Sequence, residues 1–288
     1  MAGSDSVREP GLGPLNERWV LATASELLPG LDRGRASLEF GVEHVVVVAP
    51  EVGVVRISRA PGNRPVMERR VELLSELGRA GLPFAVPEPL SEVAVVDGYA
   101  VVALSWLPGE PRRTGYDDPA PLRQLLAALR QVDIGVLSSA LAPPHGYAGG
   151  AQWAELMTQA ITRLPPDVRG EARRRLDEAL ALPAVPPSLV HGDLAGANLH
   201  WTPDGKLLGV LDWDWASAWD PAIDAACLGW HGWPAVQAAV DPQTCHRAMV
   251  WQRTFGLEWI VAAWLRPPGS PDVIERTAAW LRQGQDQP

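Results

Sequence analysis

The chain has 288 residues, 47% of them hydrophobic, enough to bury a sizeable core in one large domain or two modest lobes, so disorder of the whole chain is excluded. A net charge of -9 excludes a general nucleic-acid binder, which needs a basic stripe to displace counterions from phosphates, and it is compatible with a cationic partner. No run approaches the roughly 18 apolar residues of a membrane span, and the polar, Gly- and Pro-rich start lacks the apolar stretch of a signal peptide, so no membrane partner and a cytoplasmic location are expected.

Cys227 and Cys245 are too few and too far apart for a disulfide framework or a Cys-based zinc site. Lys206 is the single lysine, so roles that need a fixed cation fall to Arg.

The first hundred residues read as strands around one helix. The β-branched runs 44–50 and 53–58, separated by a Pro-Glu turn, predict a hairpin. Met67, Val71, Leu74 and Leu77 recur at helical spacing and predict a helix over 65–77, closed by Gly81. Residues 93–104 are strand-like, broken by a turn at Asp97-Gly98, and end where Pro108-Gly109 punctuates the chain.

Beyond that point apolar residues recur at three- and four-residue steps over 121–137, 151–164 and 168–182, which predicts helices. Two short strands, 188–190 and 207–211, interrupt them before helices resume over 222–230, 242–265 and 271–281. The order is a β-rich lobe over 15–104, a hinge over 105–110 and a helical lobe over 111–281, with flexible termini at 1–14 and 282–288.

Polar chemistry concentrates around the two short strands of the second lobe. Asp193 and Asn198 lie five residues apart on one predicted loop, and Asp212 follows the next strand. An acid and an amide with a further carboxylate suit a reaction that seats a divalent metal and orients a hydroxyl, as phosphoryl transfer does. Hard oxygen ligands favour Mg²⁺ over zinc, and His191 and His200 lack a third soft ligand at suitable spacing.

Ten of the thirteen Trp residues follow Val190, and Trp251, Phe255 and Trp259 share one helix face, which reads as core packing rather than a stacking surface. Glu258 and Asp241 are single acids on predicted helices and read as solvated rather than amine-binding.

The strings HGDLAGANLHW and GVLDWDWASAWDPAIDAA resemble the motifs H-G-D-x-x-x-x-N, I-D-W-(D/E) and D-P-x-x-D of the aminoglycoside phosphotransferase family, small-molecule relatives of the protein kinases. The resemblance implies an α+β, protein-kinase-like two-lobe fold and a phosphotransferase that moves the γ-phosphate of ATP or GTP, with Mg²⁺, to a small-molecule hydroxyl.

It further implies that Asp193 is the catalytic aspartate, that Asn198 and Asp212 are metal ligands, and that His191, Asp220 and Asp224 shape and brace the loop. For the nucleotide it implies a phosphate-covering turn at Gly41, Arg56 where the family usually has Lys, Glu68 (or Glu72) as the acid partner of Arg56, and backbone groups of Ser105 to Leu107 toward the purine. The acceptor it implies is an antibiotic such as an aminoglycoside, macrolide or cationic peptide. The alternatives are a metabolite hydroxyl (choline-like, sugar or amino-acid) and a nucleotide-binding module without activity.

Overall fold

The structure is a computed structural model that describes residues 15–111, 118–194, 196–266 and 271–283, without the side chains of 230 and 231. The chain divides into two compact units, Met1–Val71 with Pro87–Trp106, and Glu72–Val86 with Leu107–Pro288.

The first unit opens on α1 (Glu17–Leu27), where Asn16 Oδ1 caps the helix by accepting from Trp19 N at 3.0 Å. Three strands follow: β1 (Ser37–Phe40), β2 (His44–Ala49) and β3 (Gly53–Ser58). Helix α2 (Arg64–Arg79) begins in this unit and crosses the division of the chain. Strands β4 (Ala94–Val96) and β5 (Tyr99–Leu104) complete an antiparallel sheet in the order β1-β2-β3-β5-β4.

Alternation along β2 and β3 places Val45, Val47, Val55 and Ile57 on one buried face, where Val20 and Ala24 of α1 join them. Gly53 opens β3 because a Cβ there would lie 2.8 Å from Leu28 Cδ2 and 3.0 Å from the Leu104 carbonyl. Helix α1 corrects the expectation of strands around a single helix. It buries only Val20, Thr23 and Ala24, too narrow an apolar stripe to register as a period in the sequence.

The second unit is helical. Its elements are β6 (Glu110–Pro111), α3 (Pro119–Gln131), α4 (Ile134–Leu137), α5 (Trp153–Arg163), α6 (Pro166–Leu180), β7 (Ser188–Val190), β8 (Leu199–Trp201), β9 (Leu207–Val210), β10 (Ser217–Trp219), α7 (Ala222–Ala239), α8 (Pro242–Gln252), α9 (Phe255–Leu265) and α10 (Val273–Arg282). The strand insert is two small antiparallel sheets, β10-β7 and β6-β8-β9, and β8 and β10 add to the two strands expected there.

The apolar run expected as one helix over 242–265 is broken between α8 and α9, where Thr254 Oγ1 donates to the Trp251 carbonyl at 2.8 Å. Helix α7 runs past the expected end at 230 through a kink at Gly232, next to Pro234, which cannot donate to the helix ladder. Of the termini expected to be flexible, 1–14 and 282–288, residues 1–14 and 284–288 lie outside the described residues, while Arg282 closes α10.

Candidate active site

The site is built where β7 ends. Pairing of β7 with β10, Val190 opposite Ser217, delivers His191, Gly192 and Asp193 to the end of the small sheet. Asp224, on the first turn of α7 and 1% exposed, accepts His191 N at 2.8 Å on one oxygen and Gly192 N at 2.9 Å on the other. Both amides of the turn are thereby satisfied by one carboxylate. Gly192 has φ +80°, and a Cβ there would lie 2.8 Å from the Trp215 carbonyl, so the turn requires glycine.

His191 is fully buried. Its Nε2 donates to the Leu211 carbonyl at 2.7 Å and its Nδ1 accepts from Asp193 N at 3.2 Å, which defines a neutral Nε2–H tautomer. Burial holds its pKa down to about 4, against the partial restoring effect of the Leu211 carbonyl. One ring thus ties the His191–Asp193 turn to the residue before Asp212. The Leu211 amide returns the link by donating to the Asn198 carbonyl at 2.8 Å.

The predicted pair meets directly. Asn198 Nδ2 donates to the Asp193 carbonyl at 2.9 Å and to the Asp193 carboxylate at 3.1 Å. Asp193 is raised to about 6, first by burial and then by the negative charge of Asp212, with the Asn198 donation opposing and Asp214 adding to the rise. Asp212 itself is exposed and held at φ 59°, ψ 62°, a left-handed conformation uncommon for a non-glycine residue.

Asp220 is the second buried anchor. One oxygen caps Ala222 N at 3.0 Å, while the other accepts from Arg247 Nε at 3.0 Å, Arg247 Nη2 at 2.6 Å and Trp251 Nε1 at 2.7 Å. Arg247 is a supporting residue that the sequence did not single out, and Trp251, read there as core packing, also donates its indole N–H to Asp220.

The residues expected to hold nucleotide lie as follows. Gly41 N donates to the His44 carbonyl at 2.9 Å, closing the turn between β1 and β2. Arg56 lies with Nη2 2.9 Å from His44 Nδ1, and Arg70 Nη1 lies 2.9 Å from the other ring nitrogen, while Arg70 Nη2 pairs with Glu43 at 2.5 Å. Glu68 is on the exposed side of α2 and pairs with Arg64 at 2.7 Å rather than with Arg56, and Glu72 accepts from Ser139 Oγ at 3.0 Å. The acid paired with Arg70, the α2 neighbour of the same imidazole, is Glu43.

Ser105 is bound to Glu88 by both its amide, at 2.7 Å, and its hydroxyl, at 2.8 Å. Leu107 is buried, and its carbonyl lies 3.3 Å from His200 Nδ1.

A five-stranded antiparallel sheet in one unit and a helical second unit that carries these two loops are the parts of a protein-kinase-like fold. The model of the phosphotransferase enzyme family matches residues 39–281, and the chain belongs to that family. It is 32% identical over 225 residues to viomycin phosphotransferase of Streptomyces vinaceus, covering 71% of this chain and 76% of that protein.

Among solved structures, the GDP complex of aminoglycoside 2'-phosphotransferase-IIIa superposes with a TM-score of 0.76 at 16% identity, covering 93% of this chain and 98% of that one. Macrolide 2'-phosphotransferase MphH from Brachybacterium faecium gives 0.66 at 21% identity over 95% and 99% of the two chains. These two structures share the fold with this chain.

Proposed function

We propose that the chain transfers the γ-phosphate of ATP or GTP to a hydroxyl of an antibiotic, with Asp193 as the residue that accepts or orients the hydroxyl proton. The observation that carries this is the Asn198 amide donating to the Asp193 carboxylate, which fixes the rotamer of a carboxylate whose proton affinity burial has raised toward neutrality. The choice of an antibiotic is supported by the 32% identity to viomycin phosphotransferase and by the negative balance of the chain.

Mg²⁺ fits the donor set. Asp212 offers an exposed carboxylate, and Asn198, whose nitrogen is turned to Asp193, keeps its side-chain oxygen for a cation. Bound there, Mg²⁺ supplies neutralisation of phosphate charge.

The chain's own residues do the rest. Asp224 and His191 hold the turn, Asn198 orients Asp193, and Asp193 takes the proton at its carboxylate oxygen. Arg56 is the proposed phosphate cation and the stretch Ser105 to Leu107 the proposed purine neighbour, within an organisation of 15–104, 105–110 and 111–281. In the described residues no helix is long and apolar enough to cross a membrane, in keeping with an enzyme that meets its drug in the cytoplasm.

The test is phosphate incorporation from ATP and from GTP into a panel of peptide, aminoglycoside and macrolide antibiotics, with Asp193→Asn in parallel. Transfer to one class that disappears in the variant supports the proposal; transfer that survives the substitution refutes the role of Asp193, and transfer to none of the classes refutes the choice of antibiotic.

A further inference from the structure

A cavity of about 350 Å³, a volume in the range of small-molecule sites, lies wholly within the helical unit. Arg130, Ser188, Asp220, Asp241, Thr244 and Arg247 contribute to its polar lining, and Asp193, Asn198 and Asp212 take no part in it. Its place follows from the small sheet. Strand β7 meets β10 with Ser188 opposite Trp219 and Val190 opposite Ser217, so the cavity lies at the start of β7 and the His191–Asp193 turn leaves from its other end.

Which charge the cavity suits depends on which groups are already engaged. Both carboxylates are. Asp220 accepts from Ala222 N on one oxygen and from Arg247 and Trp251 on the other. Asp241 caps α8, with Oδ1 accepting from Thr244 N at 2.9 Å and Oδ2 from Thr244 Oγ1 at 2.6 Å.

The cations are less fully used. Of the five N–H groups of Arg247, those on Nε and Nη2 reach Asp220 and one on Nη1 reaches the Pro183 carbonyl at 2.9 Å, which leaves an N–H on each terminal nitrogen without an acceptor among the described residues. Arg130, in the last turn of α3, makes one hydrogen bond among the described residues, from Nη2 to Thr244 Oγ1 at 3.1 Å. Because that hydroxyl is itself fixed by Asp241, the bond holds the fork at the cavity wall while Nε and Nη1 keep their donors. Ser188 adds a third group: its Oγ is shut from solvent with no partner among the described residues, and rotation about χ1 would give it one in an occupant.

Donors in excess of acceptors call for an anion. A guanidinium fork matches a carboxylate, two N–H groups to two oxygens. Asp220 and Asp241 in the same wall oppose a second negative charge, which favours a monoanion over a phosphate monoester, close to doubly charged at neutral pH. Val185, Pro186, Pro187 and Pro221 line the rest and suit a hydrocarbon body.

We infer that this cavity is a binding site for an organic monocarboxylate, with Arg130 and Arg247 donating to its oxygens and the proline-rich wall against its body. The occupant touches the chain three residues before His191 and, at Asp220, four residues before the Asp224 carboxylate that holds the turn. Since no residue of the proposed transfer lines the cavity, the site does not rest on the role of Asp193.

The full chain, without nucleotide, is titrated calorimetrically with sodium benzoate, with its neutral isostere benzamide and with phenyl phosphate at constant ionic strength. Benzoate is expected to bind with a Kd about tenfold lower than that of benzamide, the scale of one charge-assisted hydrogen bond, and Arg130→Gln is expected to close that gap. Arg130→Lys, which keeps the charge and loses the fork, is expected to narrow it. Arg282→Gln, at an exposed arginine of α10 paired with Asp167, is expected to keep the wild-type gap.

Equal affinities for benzoate and benzamide, absence of saturation by benzoate, a gap unchanged in both Arg130 variants, or a gap lost as fully in Arg282→Gln overturns the site. An Arg130-dependent preference for phenyl phosphate over benzoate overturns the monocarboxylate as its ligand.

Discussion

Asn198 donates from one nitrogen to both the carbonyl and the carboxylate of Asp193, at 2.9 and 3.1 Å, so the orientation of the acid is set by the amide five residues later. Two groups bound in this way act as a unit, and their losses do not add. Asp193→Asn is expected to lower kcat by roughly 10²–10⁴-fold, the range of a positioned general base. Asn198→Ala is expected to lower it as well, and the double variant should be no worse than the more damaged single one. Single-turnover phosphate transfer on the four proteins checks this; multiplicative losses would show that the residues work independently.

Burial separates two ion pairs that look alike in sequence. Arg247 and Asp220 meet at 2.6 Å with side chains 8% and 5% exposed, whereas Arg282 and Asp167 meet at 2.8 Å with 50% and 56% exposed. Asp220→Ala leaves a buried guanidinium and the Trp251 N–H without their acceptor, and is expected to cost about 3–5 kcal/mol in urea unfolding. Asp167→Ala removes a solvated pair and is expected to leave the midpoint where it is.

Legibility in the sequence followed the range of the interactions. The strands 44–49 and 53–58 could be read because β-branched runs on either side of a turn are local, and the motif residues could be read because loop, strand and loop are consecutive. His44 was hidden by register. Arg56 faces Val46 across the β2–β3 pair, which makes His44, two residues along β2, its diagonal neighbour on the same face, and that follows only once the pairing is known. The place of His145 carried no signal at all, since it lies 48 residues before Asp193 and comes beside the Gly192 turn through the bridge at Ala142. Glu258 was misread as solvated because its first-turn position says nothing of the tryptophans that α5 and α8 bring around it.

His191 should give stability a distinctive pH dependence. Its folded pKa of about 4 lies below its ordinary 6.5, so between these values the unfolded chain binds more protons and the ring's contribution grows as pH rises, by about 3 kcal/mol in all. Burial raises Asp224 from 3.8 to about 7, so there the folded chain binds more protons and the contribution runs the other way, falling as pH rises. In the wild type the two slopes oppose each other. His191→Gln removes only the rising one, and the wild-type advantage over this variant is expected to widen steadily from pH 4 to 6.5 and to level off above it. Urea denaturation across that range reads the difference; a constant offset would mean that the ring is not held neutral.

Arg56 offers a last test, because its place on β3 is usually filled by Lys in the family it resembles. Its Nη2 lies 2.9 Å from His44 Nδ1, and Arg70 approaches the opposite ring nitrogen at the same distance, so two guanidinium groups flank one imidazole that, when neutral, accepts at only one nitrogen. A phosphate held by Arg56 draws on the planar fork of its guanidinium. Arg56→Lys keeps the charge but loses the second donor direction, and the nucleotide KM is expected to rise about tenfold, the equivalent of one charge-assisted hydrogen bond. Arg56→Ala should raise it further, whereas Arg64→Ala, which breaks only the exposed pair with Glu68, should leave it unchanged. Steady-state kinetics with varied nucleotide distinguishes these outcomes, and equal KM values for Arg56→Ala and wild type would remove Arg56 from the nucleotide site.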